Sequence, residues 1–318
     1  AVGFAMKQGI EPERLERVET EKGIYAGFRR RVTGRSVGQV VADGLPAAVA
    51  KMSFPKSMRW GDGRYRWVRP VHWLIALHGE RVVPGALFGL TAGNTTRGHR
   101  IHAPGPHRVP AADQYLDVLE EARVLADQAR RENLIRDILN ATDAEVLIDP
   151  DLLREVTNLV EWPVAVPCRF EQAFLEVPHA ALIAAMQDHQ KFFPVRDSSD
   201  RERVTNRFIA IANLESHDPG AVRAGYERVI RPRLADARFF LEQDLKMPLD
   251  TLLPALDRVV FQKKIGTVGD KTRRIASISK MIAEDLNLDP ATCARAAQLA
   301  KCDLLSQMVG EFPELQGL

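Results

Sequence analysis

The secondary-structure pattern changes near residue 250, and this change constrains the fold more than any other feature of the sequence. Upstream, apolar segments with strand character, such as residues 164–166, alternate with amphipathic helical segments, such as residues 149–160. Downstream, apolar residues recur only at helical spacing. The pattern therefore predicts the α+β fold class, with a mixed body over residues 1–250 and an all-helical segment over residues 251–318.

The individual elements follow from apolar periodicity, helix caps and the positions of proline and glycine. Ser36 is placed to cap a helix, Pro46 within that helix predicts a break or kink, and Pro178 is placed to open a later helix. One or two helices are expected at residues 113–140, and single helices at residues 1–10, 13–19, 36–51, 149–160, 219–228, 234–246, 250–264, 268–286 and 291–309. Strands are expected at residues 23–32, 164–166, 192–195 and 207–212, with a hairpin formed by residues 71–77 and 81–90.

The composition is that of a globular protein, because 45% of the 318 residues are hydrophobic and 27% are charged. This length is typical of about two domains. No apolar run approaches the roughly 18 residues that a membrane-spanning helix needs. Three widely spaced cysteines without metal-ligand spacing suit a reducing compartment, so we expect a cytoplasmic location. A helical start at Ala1 without methionine, and a stop just after Gly317, lead us to expect a fragment of a longer chain.

The charge is unevenly distributed along the sequence. Residues 1–110 hold 18 lysines and arginines against 8 acidic residues. Residues 111–255 hold 17 against 26, and residues 256–318 hold 9 against 8. This asymmetry predicts that the first segment faces a polyanion and that the acidic middle faces something else. Two solvated surfaces on one body are an equally good interpretation of charge alone.

Several catalytic classes lack their sequence signatures. There is no phosphate-binding G-x-x-x-x-G-K loop, no dinucleotide fingerprint, no H-E-x-x-H and no G-x-S-x-G elbow. His99 and His102 have no third and fourth ligand in register, so polar loop roles are favoured over a metal site. Cys302-Asp303 stands where an HD-type phosphohydrolase would carry His-Asp, and no histidine occurs between residues 218 and 318. We therefore predict no catalytic residue and no metal site in this chain, and a buried apolar role for Cys302.

Arginine and aromatic residues interleave in the segment MRWGDGRYRWVRP at residues 58–70. A guanidinium group binds phosphate through two hydrogen bonds and stacks on rings or bases, so this pattern favours single-stranded or distorted RNA. An alternative for any one cation is an intramolecular ion pair, for example Asp236 with Arg231 or Arg233. For Lys191, with Asp188 and His189 at a helix end, capping and phosphate contact stay equally open. The candidate RNA-binding residues are Arg59, Arg69, Arg97, Arg100, Lys191, Arg231, Arg233, Lys263 and Lys264.

Longer blocks of sequence closely resemble the β subunit of bacterial glycyl-tRNA synthetase, in that family's order and over essentially the whole chain. These blocks are FPKSMRWG, RWVRPVHW, TRGHR, NLVEWPVAV, MQDHQKFFPV, NRFIAIAN, VIRPRLADARFF, VVFQKKIGTVGDKTRRI and AKCDLLSQMVGEFPELQG.

The resemblance implies a class II aminoacyl-tRNA synthetase with two α and two β chains, which attaches glycine to its tRNA. It implies that ATP and magnesium act in the α subunit, while the β subunit binds tRNA and α without an aminoacylation site of its own. It also implies a body similar to part of the phenylalanyl-tRNA synthetase β subunit, followed by an HD-like helical domain. Two other hypotheses stay open: a docking scaffold for α without RNA contact, and a metal-dependent phosphohydrolase.

Overall fold

The computed structural model of the chain describes residues 2–200 and 202–318. It is a mixed α+β structure with small antiparallel sheets, which confirms the predicted fold class. Two compact units are present: the first extends to Thr96 and includes Arg108–Asp113, and the second comprises Arg97–His107 and Gln114–Leu318. The predicted boundary near residue 250 is a different division of the chain and stays a prediction. Among the described residues, no helix has both the length and the apolar character to cross a membrane.

The first unit consists of two helices and a series of short hairpins. The elements are α1 (Val2–Gln8), β1 (Glu16–Thr20), β2 (Gly23–Gly27), α2 (Val37–Ala50), β3 (Met58–Trp60), β4 (Tyr65–Trp67), β5 (Leu77–His78), β6 (Arg81–Val82), β7 (Ala86–Leu87) and β8 (Leu90–Thr91). Strands β9 (Thr95–Arg97) and β10 (Pro106–Arg108) follow where the chain passes to the second unit and back.

The predictions for the first unit are confirmed in part. Helix α2 begins after Ser36, as expected, and the cap is a capping box with Gln39. A hairpin turns between β5 and β6 as predicted, but its strands are much shorter than residues 71–77 and 81–90. A break or kink was predicted at Pro46, and the helix continues through this residue without a break.

The expected helix at residues 13–19 is instead the end of a short 3-10 helix followed by strand β1. Strand β1 pairs with β2, whose first residue, Gly23, has a φ of 121° that favours glycine. Ala1, the start of the first predicted helix, lies outside the described residues.

The second unit contains a three-stranded sheet and most of the helices. The elements are α3 (Tyr115–Glu121), α4 (Gln128–Asn140), α5 (Pro150–Leu159), β11 (Val164–Arg169), α6 (His179–Ala184), β12 (Phe193–Arg196), β13 (Val204–Ala212), α7 (Pro219–Asp244), β14 (Val260–Gln262), β15 (Gly266–Thr267), α8 (Val268–Asp285), α9 (Pro290–Leu299) and α10 (Gln307–Glu311). A π-helical turn spans Ala185–His189, and 3-10 helices of this unit span Gln172–Glu176, Leu249–Arg258, Cys302–Leu305 and Pro313–Leu315. A further 3-10 helix, Pro12–Arg14, belongs to the first unit, and Ala112–Gln114 lies where the chain passes from the first unit to the second.

The central strand β13 is buried on both faces. The sheet is antiparallel in the order β11-β13-β12. Phe208 and Ala210 pack in one apolar cluster with residues of α6 and α7, while Ile209 packs in another with residues of α4 and α5. Alternate side chains of a strand point to opposite faces, so a nearly continuous apolar run is what such a strand requires. This explains why the sequence predicted the strand at residues 207–212.

Helix α7 corrects the prediction of two helices at residues 219–228 and 234–246. It is one helix of 26 residues with Pro232 inside it. Ile230, Leu234 and Ala237 are all fully buried on one face of this helix, in the cluster that covers the sheet. Burial of this face stabilises the helix enough to tolerate the interior proline, whose local cost is about 3 kcal/mol.

The region after residue 248 is less regular than predicted. The expected helix at residues 250–264 is a 3-10 helix followed by β14, and Gly266, at a φ of 99°, closes a hairpin to β15. The expected helix at residues 291–309 ends as α9, and Ser306 caps the separate helix α10 through the Val309 N–H. Phe312 is fully buried in the same cluster as α7, so the last residues complete the core beside the sheet.

Candidate nucleic-acid interface

The loop of residues 97–102 is fixed by the buried side chain of His99, which is 3% exposed. Its Nε2–H donates to the carbonyl oxygen of Asn213 at 2.6 Å. Its Nδ1 accepts from the backbone N–H groups of Ile101 and His102, each at 3.2 Å. Because Nδ1 accepts two hydrogen bonds, the proton lies on Nε2. Both ring nitrogens are occupied by the protein itself, which supports the polar loop role over a metal ligand.

Gly98 brings the same loop against the end of helix α3. The His99 N–H donates to the carbonyl oxygen of Ala122 at 2.9 Å. A Cβ atom at Gly98 would lie only 2.8 Å from that oxygen and 2.9 Å from His107 Nε2. Only glycine allows this approach of the two backbones. On the far side of the loop, His102 Nε2 accepts from the Glu215 N–H at 2.9 Å. The loop is therefore fixed by the backbone contact to Ala122, by the contact of His102 with Glu215, and by the buried side chain of His99.

Arg97 and Arg100 flank this anchor and are exposed. Neither guanidinium forms an ion pair or hydrogen bond with any residue in the described part of the chain. Two unpaired guanidinium groups on a fixed backbone are suited to bind phosphate oxygens, since their donors are free and little loop entropy is lost on binding. Arg97 and Arg100 thus combine exposed, unpaired side chains with a backbone that His99 holds in place.

Asn213 is the residue that sequence reasoning missed. Besides holding His99, its Oδ1 accepts from the backbone N–H groups of Glu161 and Trp162 at 2.6 and 2.9 Å. The indole of Trp162 donates to Glu215 at 3.0 Å, and this bond, with nearby Arg123 in a smaller role, holds the pKa of Glu215 below its ordinary value. The Arg123 guanidinium lies 4.9 Å from the ring of Trp162. The only sequence signal was an asparagine directly after a buried strand.

Three predicted candidates are engaged in ion pairs. Arg231 pairs with Glu171 at 2.6 Å, Arg233 with Glu311 at 3.1 Å, and Lys191 with Glu155 at 2.9 Å. Asp236, which the sequence suggested as a partner of Arg231 or Arg233, is therefore not the residue that pairs with either of them. Each pair joins two segments that are distant in sequence, so these cations have structural partners within the second unit. Lys191 also has a φ of 60°, which is uncommon for a non-glycine residue.

The other predicted candidates lie on exposed turns and hairpins. Arg59 on β3 stands directly opposite Arg66 on β4, and its guanidinium donates to the Gly63 carbonyl oxygen at 3.1 Å. Arg69 donates to the carbonyl oxygen of Val68 at 3.0 Å. The turn between β14 and β15 carries two further exposed cations, neither paired with a described residue. These cations are Lys263 and Lys264.

The Cys302-Asp303 pair has no metal-site geometry. Cys302 is fully buried in an apolar cluster with Leu256 and Val268, as predicted. Asp303 Oδ2 accepts from the Gly317 N–H at 2.8 Å. Across residues 2–200 and 202–318, no three histidine, cysteine, aspartate or glutamate residues are grouped so that they could hold a metal ion.

Comparison with known proteins places the chain in a class of aminoacyl-tRNA synthetase subunits. The family described as "Glycyl-tRNA synthetase beta subunit" matches residues 1–318, and the chain belongs to this family. It is 47% identical over 322 residues to a glycine–tRNA ligase β subunit of Chromohalobacter salexigens. Similar proteins from Marinobacter nauticus and Xanthomonas campestris pv. campestris are 46% and 45% identical. These alignments cover 99–100% of this chain and 46% of each relative, so the chain spans about half the length of the relatives it matches.

Proposed function

We propose that this chain is a tRNA-binding part of the β subunit of glycine–tRNA ligase, and that it supports ATP-dependent attachment of glycine to tRNA. Membership of the family indicates the class of protein, and one structural observation supports the tRNA-binding role. Arg97 and Arg100 present free guanidinium groups on a loop fixed by the buried His99. Phosphate contacts of this kind position RNA on a protein and make its affinity dependent on salt.

In this proposal the chain binds and positions the tRNA, and the aminoacylation reaction takes place in another chain. We assign ATP, magnesium and the aminoacylation site to a partner α subunit, as the resemblance to the family implies. The assembly is a cytoplasmic heterotetramer of two α and two β chains. Residues 1–250 correspond to a body like part of the phenylalanyl-tRNA synthetase β subunit, and residues 251–318 begin an HD-like helical domain.

A docking scaffold for the α subunit is a second candidate function. The observation that favours it is the acidic segment of residues 111–255, with 26 acidic residues against 17 lysines and arginines. An excess of negative charge in a segment disfavours RNA binding there and favours a basic protein partner. The two functions make different predictions for the arginine pair, because a scaffold without RNA contact does not need Arg97 or Arg100.

The test is a double variant of the full-length protein in its complex, R97A/R100A. Each phosphate contact contributes about 0.7–0.9 to the slope of log affinity against log salt, so losing two should flatten the slope by about 1.5. The variant R231Q is a matched control, since Arg231 is already paired with Glu171. Its salt slope should equal that of the wild type. An unchanged slope and affinity in R97A/R100A would leave the scaffold as the better account of this loop.

A further inference from the structure

A cleft of about 930 Å³ lies within the first unit, away from the Arg97–Arg100 loop in sequence. It is bordered by the end of helix α2, the β3–β4 hairpin and the β7–β8 hairpin. Its volume falls in the range of ligand pockets in proteins, roughly 300–1,000 Å³. We call it the aromatic cleft; its lining includes Lys51, Phe54, Arg64, Arg66, Trp67 and Phe88.

One side of the aromatic cleft is a cluster of half-buried rings. The ring centroids of Phe54 and Trp67 are 4.8 Å apart, and those of Trp67 and Phe88 are 5.4 Å apart. Tyr65 lies at the edge of the same cluster, 6.1 Å from Phe88. Rings packed edge to face leave some of their π surfaces uncovered. An uncovered ring in a cleft is the platform on which proteins stack the bases of single-stranded RNA.

Phe88 adopts a backbone conformation that is rare for its residue type. It has a φ of 54° and is followed by Gly89 at 77°, so both residues of the two-residue turn between β7 and β8 are in the left-handed region. Asparagine and glycine are the residues that ordinarily suit such a turn. Strain of this kind persists only where the surroundings hold it, and it concentrates at ligand sites. Here the rings of Trp60, Tyr65 and Trp67 hold Phe88 beside the cleft.

The charged residues that line the cleft are all positive. They are Lys51, Arg64 and Arg66. Asp62 pairs with Arg64, whereas Lys51 and Arg66 have no carboxylate partner among the described residues. Arg66 also stands directly across the strand pair from Arg59. Like charges in this position repel each other, and an anion bound beside them relieves the repulsion.

We propose that the aromatic cleft binds one unpaired nucleotide of an RNA ligand. The base packs against the rings of Trp67 and Phe88, and the phosphate lies by Lys51 and Arg66. This inference rests on the proposed function, and it names a site and a ligand class that the arginine loop does not supply. An RNA nucleotide fits better than a peptide, because the cleft joins flat ring surfaces with two cations, Lys51 and Arg66, that have no carboxylate partner among the described residues.

The experiment uses the variant F88N in the full-length complex, because asparagine suits the left-handed turn and removes only the ring. The probes are glycine tRNA and a short single-stranded RNA, the latter with and without an abasic site. Loss of one stacked base should weaken tRNA binding about tenfold, with an unchanged salt slope, since no phosphate contact is lost. The abasic oligonucleotide should bind wild type and F88N equally. W73A is the matched control, since Trp73 is an exposed ring outside the lining of the cleft.

A second variant, R66Q, separates the charge from the ring and should flatten the salt slope by about one unit. If R97A/R100A weakens tRNA binding but F88N and R66Q do not, the cleft inference is overturned while the proposed function stands. If none of these variants changes tRNA binding, both the cleft inference and the proposed function are wrong. If F88N weakens only the association with the α subunit, the cleft is a protein-docking site and the inference is wrong.

Discussion

Replacing His99 with leucine should release the arginine loop without removing a charge from it. The leucine fills a similar volume but cannot form the three hydrogen bonds of the imidazole, to Asn213, Ile101 and His102. A typical intramolecular hydrogen bond contributes about 1 kcal/mol net, so the loop should lose about 3 kcal/mol of local stability. At about 1.4 kcal/mol for each factor of ten, that is a roughly 100-fold rise in the fraction of open loop.

Amide hydrogen exchange followed by mass spectrometry measures this opening directly in the full-length protein. Peptides that cover residues 97–103 of H99L should exchange about 100-fold faster than in the wild type, and tRNA affinity should fall although Arg97 and Arg100 are intact. H217L is the matched control, since His217 is exposed and its side chain has no hydrogen bond to another described residue. Exchange of the loop in H99L within threefold of the wild-type rate would refute the anchoring role.

Three further predictions follow from the structure. Burial raises the pKa of the Cys168 thiol to about 12, so iodoacetamide at pH 8 should label Cys293 and spare Cys168 in peptide mass mapping; equal labelling would contradict this. Hydrogen bonds from Thr267 lower the pKa of Asp270 from 3.8 to about 2. The stability that ionised Asp270 gives to the folded state is therefore present above about pH 4 and is lost as the pH falls toward 2. D270N should therefore remove that acid-sensitive part of the stability of helix α8. Amide exchange in α8 measures this stability, and a wild-type-to-variant ratio of exchange rates that stays constant from pH 5 to 2.5 would contradict the prediction. G98A should lower tRNA affinity and cost about 1–3 kcal/mol of stability in urea unfolding, and unchanged values of both would show that the loop tolerates the added methyl group.

Much of the second unit could be predicted from local sequence alone. Helix α5 followed from a strongly apolar face and from Asp149, whose carboxylate accepts from the Asp151 and Leu152 N–H groups at the start of the helix. Helix α7 could not, because Pro232 disfavours the helix locally and the compensating burial of Ile230 comes from packing against a distant sheet. Local patterns report propensity, whereas this helix depends on tertiary contact.

The charged residues of the candidate site could be predicted from the sequence, but the contacts that hold its loop in place could not. Arg97 and Arg100 were identified from residue type and neighbourhood. The anchor was not, since His99 and Asn213 are 114 residues apart and nothing local links them. The same limit explains Arg231 and Arg233, whose carboxylate partners lie on other elements. The sequence thus suggested candidate side chains for phosphate binding, and the structure shows which of these candidates already have partners within the chain.

We propose above all that this region of the protein binds tRNA. The most direct test of this proposal is a titration of the full-length complex against labelled glycine tRNA at several salt concentrations, with duplex DNA as competitor, for the wild type and R97A/R100A. We expect preference for tRNA over duplex DNA and a salt slope that is flatter by about 1.5 in the double variant. Equal competition by DNA, or identical slopes for the two proteins, would contradict the proposal.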